Sequence, residues 1–226
     1  MFITVNGIKL FYEKTGRGRP VILIHGNSED HGKLQGVANL LAGRCEVYAI
    51  DSRCHGQSGK TDTLHYNDMA EDVAQFIQAL GLHKPLIIGS SDGAIVGLLV
   101  AIHHPDLSGA LISAGANRNP GELKAWFKAV ARLGLWGTKG DPKMALMLNE
   151  PDITDDMLAK IKIPVLVMAG QRDILAQRHT RALAAAISGA SLCILPGETH
   201  SSYIKHADRL IAAARSFIDD YLARSE

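Results

Sequence analysis

Phe2 to Val5 and Ile8 to Tyr12 are rich in β-branched and aromatic residues and flank Asn6-Gly7. Both turn residues tolerate positive φ, so the chain is predicted to open with a two-residue antiparallel hairpin. Short apolar runs then recur after breakers, at Val21 to Ile24, Glu46 to Ile50, Leu86 to Ile88, Ala110 to Ile112, Val165 to Met168 and Leu192 to Leu195. Runs without alternation predict strands covered on both faces. Between them apolar residues follow helical spacing, as in Met69-Ala70-Val73-Phe76-Ile77-Leu80, where Gly81 supplies a stop. Further helices are predicted from about Ser91 to His103, from Ala176 to Ile187 and from Ile204 to about Leu222. The alternation of strand and helix predicts an α/β fold: a doubly wound, mostly parallel sheet behind an N-terminal hairpin.

One stretch breaks the rhythm. From about Arg118 to Lys160 no strand pattern occurs, yet Trp126, Phe127, Val130, Leu133, Leu135 and Trp136 form an apolar cluster, followed by Met144, Leu146, Met147 and Leu148. Gly134, Gly137, Gly140, Pro142 and Pro151 are expected to cut it into pieces. Residues 118–160 are therefore read as a small helical insertion, and residues 1–117 with 161–226 as the core domain, a size that suits one main domain.

The charge balance narrows the partner. Lys and Arg number 24 against 23 Asp and Glu in 226 residues, which gives no electrostatic reason to expect nucleic acid or an anionic membrane. A small molecule is the expected partner; oligomeric state is not encoded in any pattern. No basic segment followed by a long apolar core stands at the start, and no run of 18 or more apolar residues occurs, so a cytoplasmic protein is expected. The cysteines, Cys45, Cys54 and Cys193, lack metal-ligand spacing and suit reduced thiols. Neither a disulfide framework nor a metal site is expected.

Candidate chemistry centres on Gly89-Ser90-Ser91-Asp92-Gly93, between the strand Leu86 to Ile88 and the helical run Ala94 to Leu99. A sharp strand-to-helix turn strains its central residue, and only small residues two before and two after it avoid collision. Ser91 would then stand exposed at the carboxyl end of the sheet, with the Asp92 amide aimed at developing negative charge. Three further motifs accompany this one: Ile24-His25-Gly26-Asn27 after the first central strand, Asp51-Ser52-Arg53-Cys54-His55-Gly56-Gln57-Ser58, and Gly197-Glu198-Thr199-His200 near the end. With them the chain resembles the α/β-hydrolase superfamily over nearly its whole length. The first motif resembles the family's His-Gly oxyanion loop, the second its Asp-x-Arg-Gly-His-Gly-x-Ser turn with Cys54 where Gly is usual, and the third its catalytic-histidine loop.

The resemblance implies a serine hydrolase that needs no cofactor. Of ten histidines, His200 stands where chain order puts the base, after the last strand. Asp173, after the penultimate strand, fits as the acid that fixes its tautomer, because Ser113 to Asn117 offers no carboxylate after the preceding strand. A helix N-cap or a salt bridge with Arg172 or Arg178 is the structural alternative for Asp173. The expected oxyanion hole combines the Asp92 and Asn27 amides; the Asn27 side chain either adds a contact or caps a helix beginning near Glu29. Asp51, Arg53 and His55 are read as bracing groups. Asp92 flanks the elbow, and its charge would disfavour anionic substrates and could favour an amine. Trp126, Phe127 and Trp136 are candidate walls of an apolar acyl pocket under a short lid, or mere lid packing. The expected reaction is hydrolysis of a small carboxylic ester or related acyl substrate. Alternatives are C–C bond, lactone or amide hydrolysis on the same fold, or a hydrolase-like small-ligand receptor with slow turnover.

Overall fold

The computed structural model describes residues 1–137 and 141–224. Gly140, expected above as a breaker, lies outside them. Strands β1 (Phe2–Val5) and β2 (Ile8–Gly16) form the opening hairpin, with Asn6 and Gly7 both at positive φ. β3 (Arg19–Ile24), α1 (Gln35–Leu41), β4 (Cys45–Ile50), α2 (Tyr66–Ala79), β5 (Leu86–Ser90), α3 (Asp92–His103) and β6 (Ala110–Ala114) follow. The segment after β6 carries α4 (Ala125–Gly137), α5 (Pro142–Asn149) and α6 (Asp155–Leu158), and no strand among its described residues. The chain ends with β7 (Val165–Arg172), α7 (Gln177–Ala186), β8 (Ser191–Thr199), α8 (Ser202–Lys205) and α9 (Ala207–Ala223).

The strands form one sheet in the order β1-β2-β4-β3-β5-β6-β7-β8, antiparallel at β1-β2-β4 and parallel from β4 onward. Strands β3 to β7 read as continuous apolar runs because each face is covered; the edge strand β8 departs from that expectation, with Leu192 37% exposed. Ile22 and Ile24 of β3, Ile87 of β5, Leu111 of β6, and Val165 and Val167 of β7 pack toward α2, α3 and α7. Their neighbours Val21, Leu23, Leu86, Ile88, Ile112, Leu166 and Met168 pack toward α1, α8 and α9. α3 is buried from Asp92 to Ile102, as expected of a helix that is apolar all round.

Several expectations on local boundaries change; the helix expected from Ile204, for one, is divided at His206 into α8 and α9. Gly134 does not break the insertion; α4 runs through it, and the position packs near the Met144 sulfur of α5. No helix starts at Glu29. Asp30 instead caps a single 3-10 turn, His31–Leu34, by accepting from the Gly32 amide at 2.9 Å, and α1 continues from it. From β3 the chain steps to β4 on one side and returns to β5 on the other, so a crevice opens at the carboxyl ends of β3 and β5.

Candidate active site

Ser91 leaves β5 at φ 53°, ψ −113°, a conformation that side chains rarely adopt, and its amide is held by the Ala114 carbonyl at 2.8 Å. The turn is tight enough to specify its neighbours. A Cβ on Gly89 would stand 2.1 Å from the Gly93 carbonyl oxygen, and one on Gly93 would stand 2.1 Å from that of Ile24. Backbone atoms make both collisions, so neither side could yield cheaply. Asp92 begins α3, where its amide is among those with no intrahelical acceptor.

His200 arrives from the loop after β8. Its Nε2 lies 3.0 Å from Ser91 Oγ and its Nδ1 2.7 Å from Asp173 Oδ1. A carboxylate only accepts, so Nδ1 carries the proton and Nε2 is left to accept from the serine hydroxyl. Asp173 is buried, and besides His200 its carboxylate accepts from the Leu175 amide (3.2 Å to Oδ1) and the Gly170 amide (3.4 Å to Oδ2), its carbonyl oxygen accepts from Lys124 Nζ, and its own amide donates to the Gly170 carbonyl at 3.2 Å. It does not cap α7, whose N-cap is Ala176, and it pairs with neither Arg172 nor Arg178 among the described residues. Gly115, at φ 78° after β6, lies under the ring: a Cβ there would stand 2.8 Å from His200 Cε1.

Residues 26–28 form the opposite wall. The Gly26 amide donates to Glu29 Oε2 at 3.0 Å. The Asn27 side chain caps nothing; its Nδ2 donates to Asp92 Oδ2 at 2.9 Å and to the Lys143 carbonyl at 3.0 Å, tying the loop, the elbow and α5 together. Asp92 is buried, and its carboxyl is pushed up to about 6, chiefly by burial, against the opposing hydrogen bonds from Asn27 and Tyr66. Burial and the adjacent Asp92 charge raise the Tyr66 hydroxyl well above its ordinary value.

The remaining motif residues brace the loops. His25 donates from Nδ1 to the Gly26 carbonyl (2.7 Å) and accepts the Ser52 amide at Nε2 (3.0 Å), and burial pushes its pKa down. Asp51 Oδ1 accepts from the His31 amide and ring, and Oδ2 from the Gln57 amide. Arg53 forks onto Asp72 at 2.7 and 2.6 Å. His55 donates to the Arg53 carbonyl at 2.8 Å, and burial lowers its pKa to about 4.

These walls enclose a cavity of about 200 Å³, with Ser91, His200, Asn27 and Asp92 on its polar side and Phe127, Met144 and Met147 on its apolar side. Of the three aromatic candidates only Phe127 reaches it. Trp126 is 58% exposed and Trp136 83% exposed. The reason is helical phase: at 100° per residue, Trp136 stands nine residues and half a revolution from Phe127. Sequence reasoning missed Tyr66, Lys124 and Gly115. Tyr66 reads as the core face of α2 and Gly115 as a turn, so no local signal marks either. Met144 and Met147 were visible only as part of an apolar cluster.

Residues 19–143 match the family profile described as alpha/beta hydrolase fold. The chain belongs to the α/β-hydrolase family. Among its relatives is serine hydrolase BPHL of Mus musculus, 24% identical over 96% of this chain and 85% of that protein. Among solved structures, a thermophilic esterase from Thermogutta terrifontis superposes with a TM-score of 0.85 at 21% identity, over 99% of this chain and 100% of that one. An enol-lactonase from Burkholderia xenovorans LB400 superposes with a TM-score of 0.79 at 20% identity, over 99% and 100%. The chain is thus a hydrolase by family, and these structures share its fold. Among the described residues, no helix is long and apolar enough to cross a membrane, and no group of three or more His, Cys, Asp or Glu could hold a metal ion.

Proposed function

We propose that this hydrolase cleaves small carboxylic esters or closely related acyl substrates through an acyl-enzyme on Ser91. The observation that carries the reading is the continuous relay Ser91, His200, Asp173 at 3.0 and 2.7 Å, opening on a cavity of about 200 Å³. His200 takes the Ser91 proton as Oγ attacks the carbonyl, then returns it to the leaving oxygen. Water, activated by the same imidazole, clears the acyl group. Asp173 holds the tautomer and stabilises the imidazolium. The Asp92 and Asn27 amides are assigned to the developing oxyanion; losing one such donor typically costs about 10²–10³ in rate.

The helical segment 118–160 serves as the lid in this reading, with Phe127, Met144 and Met147 closing the acyl side. A cavity below the range of about 300–1,000 Å³ usual for drug-sized ligands favours a short acyl chain. Asp92 adds a charge preference. Once ionised, its carboxylate favours a substrate ammonium near the elbow and disfavours a carboxylate. No step in this sequence draws on a cofactor.

A panel of p-nitrophenyl esters tests the reading. Acetate and butyrate should turn over with kcat/KM well above that for decanoate, and Ser91→Ala should lower kcat at least ~10³-fold for all. Undiminished activity in Ser91→Ala would overturn the assignment of the nucleophile.

A further inference from the structure

At the end of the sheet opposite Ser91, the segments that lead into β3, β5, β6 and β7 enclose a second cavity, of about 350 Å³, against the end of α9. Its wall carries Arg19, Lys84, Lys162 and Arg224 and no Asp or Glu. None of the four forms an ion pair among the described residues. In a chain of net charge +1, such a concentration does not follow from composition. Like charges without a counter-ion repel, and a bound anion relieves that repulsion.

Helix C-termini gather at this end, and cations serve their negative poles. Arg19 does so: its Nη1 donates to the Tyr221 and Arg224 carbonyls at 2.6 and 2.8 Å, and its guanidinium lies 4.3 Å from the centre of the Tyr221 ring. Both Nη1 protons are then used, the guanidinium also bears on the Tyr221 hydroxyl, and a guanidinium's Nε–Nη2 edge is the one that grips an oxyanion with two parallel bonds. No such role covers the two lysines. Lys84 is held at φ 41°, a backbone conformation that favours glycine, and its ammonium makes no hydrogen bond or ion pair among the described residues. Lys162 is exposed at the rim. Beneath them Ser108, 1% exposed, carries a hydroxyl with no hydrogen-bond partner among the described residues. A buried donor without an acceptor ordinarily costs about 1–3 kcal/mol.

We propose that this basal cavity binds a phosphate-bearing anion carrying two or more charges, gripped by Arg19, Lys84, Lys162 and Arg224 with Ser108 at its floor. A free diphosphate and the phosphomonoester headgroup of a lipid share that chemistry. The site is separate from the Ser91 cavity and does not depend on the assignment of the acyl chemistry.

Titration calorimetry of the full chain with inorganic pyrophosphate, at ~150 mM NaCl so that diffuse surface attraction is screened, is the test. One site per chain is expected, weakened at least tenfold in the double variant Lys84→Gly/Lys162→Gln. Because glycine relieves the positive φ at position 84, that variant should keep or raise Tm and should leave ester turnover unchanged. Co-sedimentation with phosphatidic-acid vesicles, against phosphatidylcholine alone, separates the sources: pyrophosphate binding without sedimentation assigns a soluble anion, and sedimentation lost in the double variant assigns a headgroup. Absence of both, or equal pyrophosphate affinity in wild type and double variant, would overturn the proposal.

Discussion

Cys54 stands where the family pattern has glycine, and its φ of 64° supplies the physical reason for that pattern. A non-glycine residue in this left-handed region costs about 1–2 kcal/mol. Part of that is offset by the thiol, whose sulfur accepts the Thr61 amide at 3.3 Å. Stability measured by urea unfolding should therefore rank Gly above or equal to Cys and Cys above Val at position 54, with Cys54→Val down by roughly 1–2 kcal/mol because β-branching worsens the strain. A Val variant as stable as wild type would deny the strain. Asp92 makes a prediction of opposite character. Its folded pKa, about 6, lies above the ordinary carboxylate value, so the folded chain holds the proton longer than the unfolded one. Stability contributed by this group is full at low pH and falls as pH rises from about 4 to about 6, by about 3 kcal/mol. Above that window the carboxylate is charged. The ratio of kcat/KM for matched ammonium-bearing and carboxylate-bearing esters should accordingly rise between pH 5 and 7 and become flat in Asp92→Asn. A ratio of one throughout would remove Asp92 from specificity.

Among the elements, α4 shows how far a pattern can be read. The cluster from Trp126 to Trp136 was legible as apolar, but hydrophobicity alone does not say which face meets the body. Phe127 turns inward to the cavity, while Trp126, Val130, Leu133 and Trp136 are all more than half exposed. If α4 closes the acyl side, Phe127→Ala should enlarge the cavity and move the preferred ester toward longer chains, whereas Trp136→Ala should leave kcat/KM unchanged within about twofold. Equal effects of the two changes on the chain-length profile would mean that α4 does not form that wall. The strands were easier. Six short apolar runs and one hairpin located all eight, because runs of strand length bounded by breakers are too short for helices; only β8 departed in burial, as an edge strand with Leu192 exposed. β2 runs beyond the expected Tyr12 to Gly16, and its outer half is polar: Glu13 to Gly16 pair with Ala49 to Glu46 of β4 by backbone bonds.

Across the whole molecule, what was legible followed from chain order and what was not followed from convergence. Ser91, Asp173 and His200 could be singled out because each follows a strand at the place the family resemblance implies, and the structure brings them within hydrogen-bond distance. Tyr66 on Asp92, Gly115 under the His200 ring and the basal cavity each arise where segments distant in sequence meet, which no local spacing records. The sheet itself separates the two regions. Its carboxyl ends carry the relay, and its amino ends carry the cations. In the proposed mechanism the relay makes Ser91 a nucleophile. The most direct measurement is labelling of the folded protein with a fluorophosphonate, followed by mass mapping of the adduct. One adduct per chain on Ser91 is predicted, abolished in Ser91→Ala and slowed at least ~10³-fold in His200→Ala. Folded wild-type protein that takes no label, or an adduct on another residue, would contradict it.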